Sequence, residues 1–148
     1  MSEFNVREKR FEDDIESFLC TTGGYVKGNP QVFNRELALD TDTLLAFIKQ
    51  SQPKKWERYT KLYGDSCEQQ FLKRFNDSVE HDGLLSVLRH GFKDRGITFR
   101  VVYWKPETSM NETARAQYES NIFHCTRQLH YSVSNNNSVD IVLFLNGI

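Results

Sequence analysis

Apolar residues follow two different periods along this chain, and the period changes near residue 97. Before that point they recur every three to four positions, which is the spacing of amphipathic helices. After it they alternate or run continuously, as they do in strands. The pattern therefore predicts helices followed by a mainly antiparallel segment of sheet, which is a mixed α/β fold of the α+β kind.

The helical part divides into several predicted helices, because glycine, proline and capping residues interrupt the pattern. The first covers residues 4–19. The residues on its predicted core-facing stripe are Phe11, Ile15, Phe18 and Leu19. Four more helices are predicted over residues 40–48, 53–63, 66–79 and 84–88. Pro53 suits a first helical turn, and Ser66 with Gln69 has the spacing of a capping box. No strand pattern separates these four, so they are predicted to form an inserted helical layer.

The remaining residues contain strand signals and a strong turn signal. Strands are predicted over residues 97–104, 122–131 and 140–145, with a short helix ending at Tyr118. The last strand is apolar on both faces, which is typical of a strand buried centrally in a sheet. Asn146-Gly147 then supplies the strongest two-residue hairpin signal. Because the chain stops one residue later, we expect it to be truncated within this hairpin.

Two carboxylates are candidates for a shared site. Asp140 stands at the entrance of the last strand on the face of Val142 and Phe144, where an ionised carboxylate needs a cation, a hydrogen-bond network or a metal. A turn-forming aspartate is the alternative. At about 100° per residue, Glu12 falls at the edge of the first helix's apolar stripe, although a surface glutamate is the alternative. Both patterns direct the two acids inward, so Glu12 and Asp140 are predicted to lie together at a cleft.

Charge changes this picture only locally. The net charge is −1, which does not indicate a nucleic-acid-binding protein. However, residues 49–61 and residues 89–105 each carry five basic residues against one acid, or +4. Such patches can contact phosphates, and solvated helix faces are the alternative. Lys54, Lys55 and Arg58 are the candidate contacts in the first segment.

The cysteines and the N-terminus indicate the compartment. The three cysteines are odd in number and far apart, so neither a disulfide framework nor a zinc site is predicted. The acidic N-terminus lacks a signal sequence, and no segment has the length and apolarity of a membrane span. We expect a reducing, cytoplasmic setting and no membrane partner.

Several longer stretches carry a resemblance to a known family. They are FEDDIESFLCTTGGYVKG, FNRELALD, FIKQSQPKKWE, FLKRF, GLLSVLRHGFKDRGITFRVVYWKP and TRQLHYSVSNNNSVDIVLFLNGI. Together they cover nearly the whole chain in order. They resemble the N-terminal nuclease region of the restriction (motor) subunit of Type I restriction-modification enzymes.

This resemblance implies a restriction-endonuclease-like core of the PD-(D/E)xK type, in which an Asp on one strand and Glu-x-Lys on the next hold a divalent cation. It implies that Asp140 is the first catalytic, metal-binding carboxylate. It also implies that the first helix adds a second catalytic, metal-binding acid, which is Glu12, with Glu8 and Glu16 as alternatives to Glu12. The implied metal is Mg²⁺ or Mn²⁺. Residues 1–148 would be the N-terminal part of an endonuclease domain, truncated within the catalytic hairpin. The Glu-x-Lys strand and an ATP-driven motor would follow, and this chain alone is expected not to cut DNA.

The resemblance also implies partners. They are double-stranded DNA and the modification and specificity subunits of the same complex, in a bacterial or archaeal cytoplasm. Arg127 would either contact DNA or brace a neighbouring acid. Two functions stay open: an endonuclease, and a non-catalytic docking module for the other subunits in which Asp140 is structural.

Overall fold

The computed structural model describes residues 2–148, which form two compact units. The sheet unit contains the described residues up to Asp40 together with Ile122–Ile148, and the helical unit is Thr41–Asn121. The helical unit is thus inserted in the sequence between the two parts of the sheet unit. The predicted mixture of helices and strands is confirmed. No helix within residues 2–148 is long and apolar enough to cross a membrane.

The predicted helices are formed, but four short strands also lie before residue 97, where the apolar pattern predicted helices. In chain order the helices and strands are α1 (Glu3–Thr21), β1 (Val26–Lys27), β2 (Phe33–Asn34), β3 (Leu39–Asp40), α2 (Thr41–Ser51), α3 (Pro53–Tyr63), α4 (Cys67–Asp82), α5 (Leu84–His90), β4 (Phe92–Asp94), β5 (Ile97–Phe99), α6 (Glu112–Glu119), β6 (Phe123–His130) and β7 (Ser138–Leu145). Two short 3₁₀ turns cover Pro30–Val32 and Gly64–Ser66.

The sheet unit is built on a three-stranded sheet in the order β1-β6-β7. β1 runs parallel to β6, whereas β6 and β7 are antiparallel, with Phe123 opposite Leu145. The prediction that the last strand is central is wrong for this sheet, because β7 lies at its edge. Val139 and Leu143 on β7 are accordingly 41% and 48% exposed. Helix α1 packs chiefly on β1 and β6, so it covers less of β7.

The predicted hairpin turn after β7 is formed. Asn146 and Gly147 have φ angles of 53° and 83°, as a type I′ turn requires at both central positions. The Leu145 N–H donates to the Ile148 carbonyl at 3.1 Å, and the Ile148 N–H donates to the Leu145 carbonyl at 3.0 Å. The fully buried Asn146 side chain accepts a hydrogen bond from the Ile122 N–H at 2.6 Å. This bond anchors the turn to the residue before β6.

Helix α1 has the predicted extent, but its predicted apolar stripe is only partly covered, because Ile15 and Leu19 are half-buried whereas Phe11 and Phe18 are exposed. None of its residues is buried. Its phenylalanines Phe4, Phe11 and Phe18 are 74%, 67% and 63% exposed. The flank that faces the sheet instead carries Glu12 and Glu16, which pair with Arg127 on β6 and Lys27 on β1. These ion pairs and the half-buried Ile15 and Leu19 together hold this flank of α1 against the sheet.

The helical unit has a core of aromatic rings. The Phe71 ring lies 5.1 Å from that of Phe92 and 5.2 Å from that of Phe99, both edge to face, which is a favourable geometry for aromatic pairs. Tyr59 and Phe47 are also fully buried. The core therefore joins the helices to the small β4–β5 hairpin.

Local signals set most of the boundaries in this unit, with two exceptions. Pro53 begins α3 as predicted. The capping box predicted at Ser66 is not formed, because the Ser66 hydroxyl donates to the Tyr63 carbonyl at 2.9 Å instead. The strand predicted over residues 97–104 ends at Phe99, since β5 pairs only with the three residues of β4.

Candidate metal centre

Three carboxylates from two elements meet at one end of the sheet unit. Glu8 and Glu12 lie one turn apart on the same face of α1, and Asp140 projects from β7. One oxygen of each lies within 4.8 Å of the others. The prediction that Glu12 and Asp140 lie together is confirmed, and Glu8 joins them. Glu16 does not, because its carboxylate pairs with Lys27 at 3.5 Å.

Arg127 holds the helix against the sheet beside these carboxylates. Its Nη2 lies 2.6 Å from a Glu12 oxygen, and its Nη1 lies 2.5 Å from an Asp13 oxygen. The Arg127 side chain is only 20% exposed, and the hydrogen bond to Asp13 is the main cause that raises the pKa of its guanidinium. This position favours the bracing role over the DNA contact that the sequence left open, while the DNA contact itself is not tested.

Gln128 is a site residue that the sequence analysis missed. Its side-chain nitrogen lies 3.4 Å from an oxygen of Glu12 and 3.4 Å from an oxygen of Asp140. Its φ of 51° is left-handed, and the β6–β7 ladder skips the pair Gln128 and Asp140. Adjacent residues on a regular strand point to opposite faces, but this kink lets Arg127 and Gln128 both reach Glu12. Nothing in the local sequence indicates a left-handed residue here, whereas the spacing of Glu8 from Glu12 could have indicated the third acid.

The donor set suits a hard divalent cation. The three carboxylates, with Lys9 nearby, line an open depression of about 400 Å³. Opposite oxygen ligands are about 4.1 Å apart around Mg²⁺ and about 5 Å apart around Ca²⁺. The three carboxylate oxygens lie within 4.8 Å of one another, and this upper bound is slightly wider than the span around Mg²⁺ and within the span around Ca²⁺. Glu12 can keep Arg127 on one oxygen and offer the other, because a carboxylate accepts at both.

The predicted phosphate contacts lie on α3 in the helical unit. Lys54 and Arg58 are exposed and lie one turn apart. The half-buried Lys55 donates from its Nζ to the Thr98 carbonyl at 2.7 Å. Two of the three basic side chains are thus open to solvent, and their contact with DNA stays a prediction.

A second polar cluster, in the helical unit, is structural. Asp94 is buried and accepts hydrogen bonds from the hydroxyls of Tyr59 at 2.9 Å and Tyr63 at 2.7 Å. Arg74 lies 3.5 Å from the same carboxylate. Burial, followed by the hydrogen bond to Asp94, raises the pKa of the Tyr59 hydroxyl well above its usual range. Asp94 therefore connects the β4–β5 hairpin to helices α3 and α4.

Comparison of the chain with models of known protein families, with curated proteins and with solved structures finds no match. The proposed function therefore rests on the geometry of this site and on the resemblance of the sequence to the restriction subunit.

Proposed function

We propose that this chain is the N-terminal part of a metal-dependent endonuclease domain with a restriction-endonuclease-like core, of the kind found in the restriction subunit of Type I restriction-modification enzymes. The proposed activity is cleavage of double-stranded DNA within a cytoplasmic, ATP-driven complex with modification and specificity subunits. The observation that carries the proposal is the convergence of Glu8, Glu12 and Asp140 from a helix and a neighbouring strand. The substrate and the complex come from the resemblance alone.

The three carboxylates would hold the Mg²⁺ ion, which when bound supplies Lewis-acid chemistry and an activated water for attack on phosphorus. The protein's own contribution is to hold the oxygens in place. Arg127 fixes Glu12 through its 2.6 Å contact, and Gln128 spaces Glu12 from Asp140. In the related enzymes a returning strand adds Glu-x-Lys. The turn at Asn146 and Gly147 directs the backbone along the free edge of β7, where such a strand would pair.

Metal binding by the 148-residue chain tests the site directly. Titration calorimetry with Mn²⁺ should show binding that is weakened about tenfold or more in Asp140→Asn and in Glu12→Gln, since each change removes a charged oxygen ligand. Glu16→Gln is the matched control, because Glu16 lies on the same helix outside the trio, and its affinity should be unchanged. Equal affinities for the wild type and Asp140→Asn would rule out this metal site.

Catalysis requires the intact subunit. With its partner subunits, ATP and Mg²⁺, we expect DNA cleavage to disappear in Asp140→Ala while ATP turnover persists. The chain alone should show no metal-stimulated nicking, because the proposed second acid and lysine are missing. Cleavage that survives Asp140→Ala in the intact complex would contradict the proposal.

The basic surface on α3 supports a sequence-independent contact with DNA. Phosphate contacts release counterions, so binding should weaken steeply with salt and little with base composition. The double change Lys54→Glu and Arg58→Glu should lower the affinity and reduce the salt slope by about two. Lys73→Glu, an exposed lysine on α4, is the control. An unchanged slope in the double variant would remove this surface from the proposal.

The alternative function is a docking module for the modification and specificity subunits. It is favoured by exposed apolar side chains on the helical unit, since Leu85 is 57% and Trp104 is 56% exposed. Arginine and tryptophan are enriched at energetically important interface positions, and Arg100 lies four residues before Trp104. If Leu85→Glu abolished subunit assembly while Asp140→Ala left cleavage intact, docking would replace catalysis as the function of this region.

A further inference from the structure

Helix α1 exposes three phenylalanines in one line. The Phe stripe consists of Phe4, Phe11 and Phe18, which are spaced by seven residues and are 63–74% exposed. Seven residues are nearly two helical turns, so the rings stand about 10.5 Å apart along one side of the helix. A contiguous apolar surface of this kind on a soluble protein commonly marks an interaction site. We therefore expect another protein surface to cover the Phe stripe.

The charges on α1 are separated along its length. In its first half the helix carries Arg7, Lys9 and Arg10 against two acids. Its second half carries only acids, which are Glu12, Asp13, Asp14 and Glu16. Glu12, Asp13 and Glu16 pair with Arg127 and Lys27 of the sheet, so Asp14 is the acid that a second, antiparallel copy of α1 would place against the basic half of the first. A parallel copy would instead place like charges together, so the charge pattern selects an antiparallel partner with the same sequence.

We propose that the Phe stripe is the interface of a homodimer in which two α1 helices pack antiparallel about a two-fold axis near Phe11. In this arrangement Phe11 meets the partner's Phe11, and Phe4 meets the partner's Phe18. Such an interface is isologous, because the same surface contributes from both copies.

The flank of the Phe stripe supports the same register. At about 100° per residue, Arg7 and Asp14 lie on the same flank of the Phe stripe. Along the helix, Arg7 lies four residues before Phe11, the centre of the stripe, and Asp14 lies three residues after it. A two-fold axis perpendicular to antiparallel helices brings the same flank of each together. Arg7 therefore meets the partner's Asp14 twice in the dimer. The Arg7 side chain is 81% exposed, and Glu3 at 3.7 Å leaves most of it open for this contact.

The size of the Phe stripe predicts a weak dimer. A phenylalanine buries about 200 Å², so three rings that are about two-thirds exposed remove about 400 Å² per copy. This is half of the roughly 800 Å² per partner in a typical stable interface. We expect a dissociation constant of about 10–100 µM, with the flanking residues contributing the rest of the contact.

The dimer goes beyond the proposed nuclease function and does not depend on it. Glu12 lies on the other flank of α1, against Arg127 and the sheet. Loss of metal binding in Asp140→Asn would consequently leave the dimer intact, and loss of the dimer would leave the metal site intact.

Sedimentation equilibrium of the 148-residue chain, from about 1 to 500 µM, tests the dimer across the expected range of dissociation constants. Phe11→Glu should raise the dissociation constant by about a hundredfold or more, because it places a charge at the centre of the interface. Leu62→Glu is the matched control, since Leu62 is also an exposed apolar residue, at 46%, but lies on α3 of the helical unit. Its dissociation constant should equal that of the wild type.

A charge exchange tests the antiparallel register. Arg7→Asp and Asp14→Arg should each raise the dissociation constant about tenfold, since each converts two attractive contacts into repulsive ones. The double variant, Arg7→Asp with Asp14→Arg, should restore dimerisation. In a parallel dimer Arg7 would meet the partner's Arg7, so neither single change would convert an attractive contact into a repulsive one, and the single variants would not weaken the dimer in this way. Both residues are exposed, and circular dichroism checks that every variant is folded.

Three results would overturn the proposal. They are a monomer at every concentration, a dimer that Phe11→Glu does not weaken, and a double variant that fails to restore association. A monomeric chain would show that another polypeptide, rather than a second copy, covers the Phe stripe.

Discussion

Replacing Arg127 with methionine should remove the main polar connection between α1 and the sheet. Methionine keeps the length of the aliphatic chain but cannot pair with Glu12 or Asp13. The Glu12 side chain is only 12% exposed, so its charge would be left largely desolvated with only the 3.4 Å hydrogen bond from Gln128. We therefore expect the free energy of unfolding to fall.

The magnitude follows from the exposure of each partner. Breaking a buried ion pair by removing one side destabilises by about 3–5 kcal/mol, and Arg127 with Glu12 approaches that case. Asp13 is 55% exposed, so its contact contributes only about 0–1 kcal/mol. Because Arg127 itself keeps some contact with solvent, we expect Arg127→Met to lower the free energy of unfolding by about 2–4 kcal/mol.

Urea denaturation followed by circular dichroism measures this loss. Arg7→Met is the matched control, because Arg7 is 81% exposed and its contact with Glu3 is 3.7 Å; that change should stay within about 0.5 kcal/mol of the wild type. In a Glu12→Gln background, Arg127→Met should cost markedly less, since no buried charge is then left alone. If Arg127→Met were as mild as Arg7→Met, ion pairing would not be what orients α1.

Three further predictions concern stability and reactivity. Asn146→Ala should lower the free energy of unfolding by about 2–4 kcal/mol, because it removes a buried hydrogen-bond acceptor and forces alanine into a left-handed conformation. Asn146→Gly should lower it by about 1 kcal/mol less, because glycine tolerates that φ. Urea denaturation compares the two variants. Folding raises the pKa of Tyr59 above the value of about 10 in the unfolded chain, so the unfolded state loses its proton first and stability should fall as the pH rises above about 10. Urea titrations across that pH range should show a smaller fall in Tyr59→Phe, and an equal fall would contradict the assignment. Burial raises the pKa of the Cys125 thiol, so Cys125 should react more slowly with iodoacetamide than the partly exposed Cys20. Mass spectrometry after a brief pulse of the reagent measures the alkylation of each cysteine. The difference between the two should vanish in denaturant.

Local sequence determined the elements of this protein and most of their ends. Pro53 starts α3, and Asn146-Gly147 forms the type I′ turn after β7. The physical reason is that proline and glycine restrict or permit backbone angles whatever surrounds them. The pattern also placed Glu12 on one flank of α1 and Asp140 at the start of the last predicted strand, but the exposed Phe11 and the gap in the β6–β7 ladder at Asp140 show that regular spacing alone did not bring the two acids together.

Tertiary structure alone decided which face of α1 is covered and how the site is completed. A helical pattern gives the angle between Phe11 and Glu12 but not which of them meets the sheet, and in the structure Glu12 pairs with Arg127 while Phe11 is exposed. Gln128 is left-handed, and its side chain contacts Glu12 and Asp140. Such a conformation has a local energy penalty for a residue with a side chain and persists only where surrounding interactions offset it. Those interactions join residues more than a hundred positions apart, which no local pattern can report.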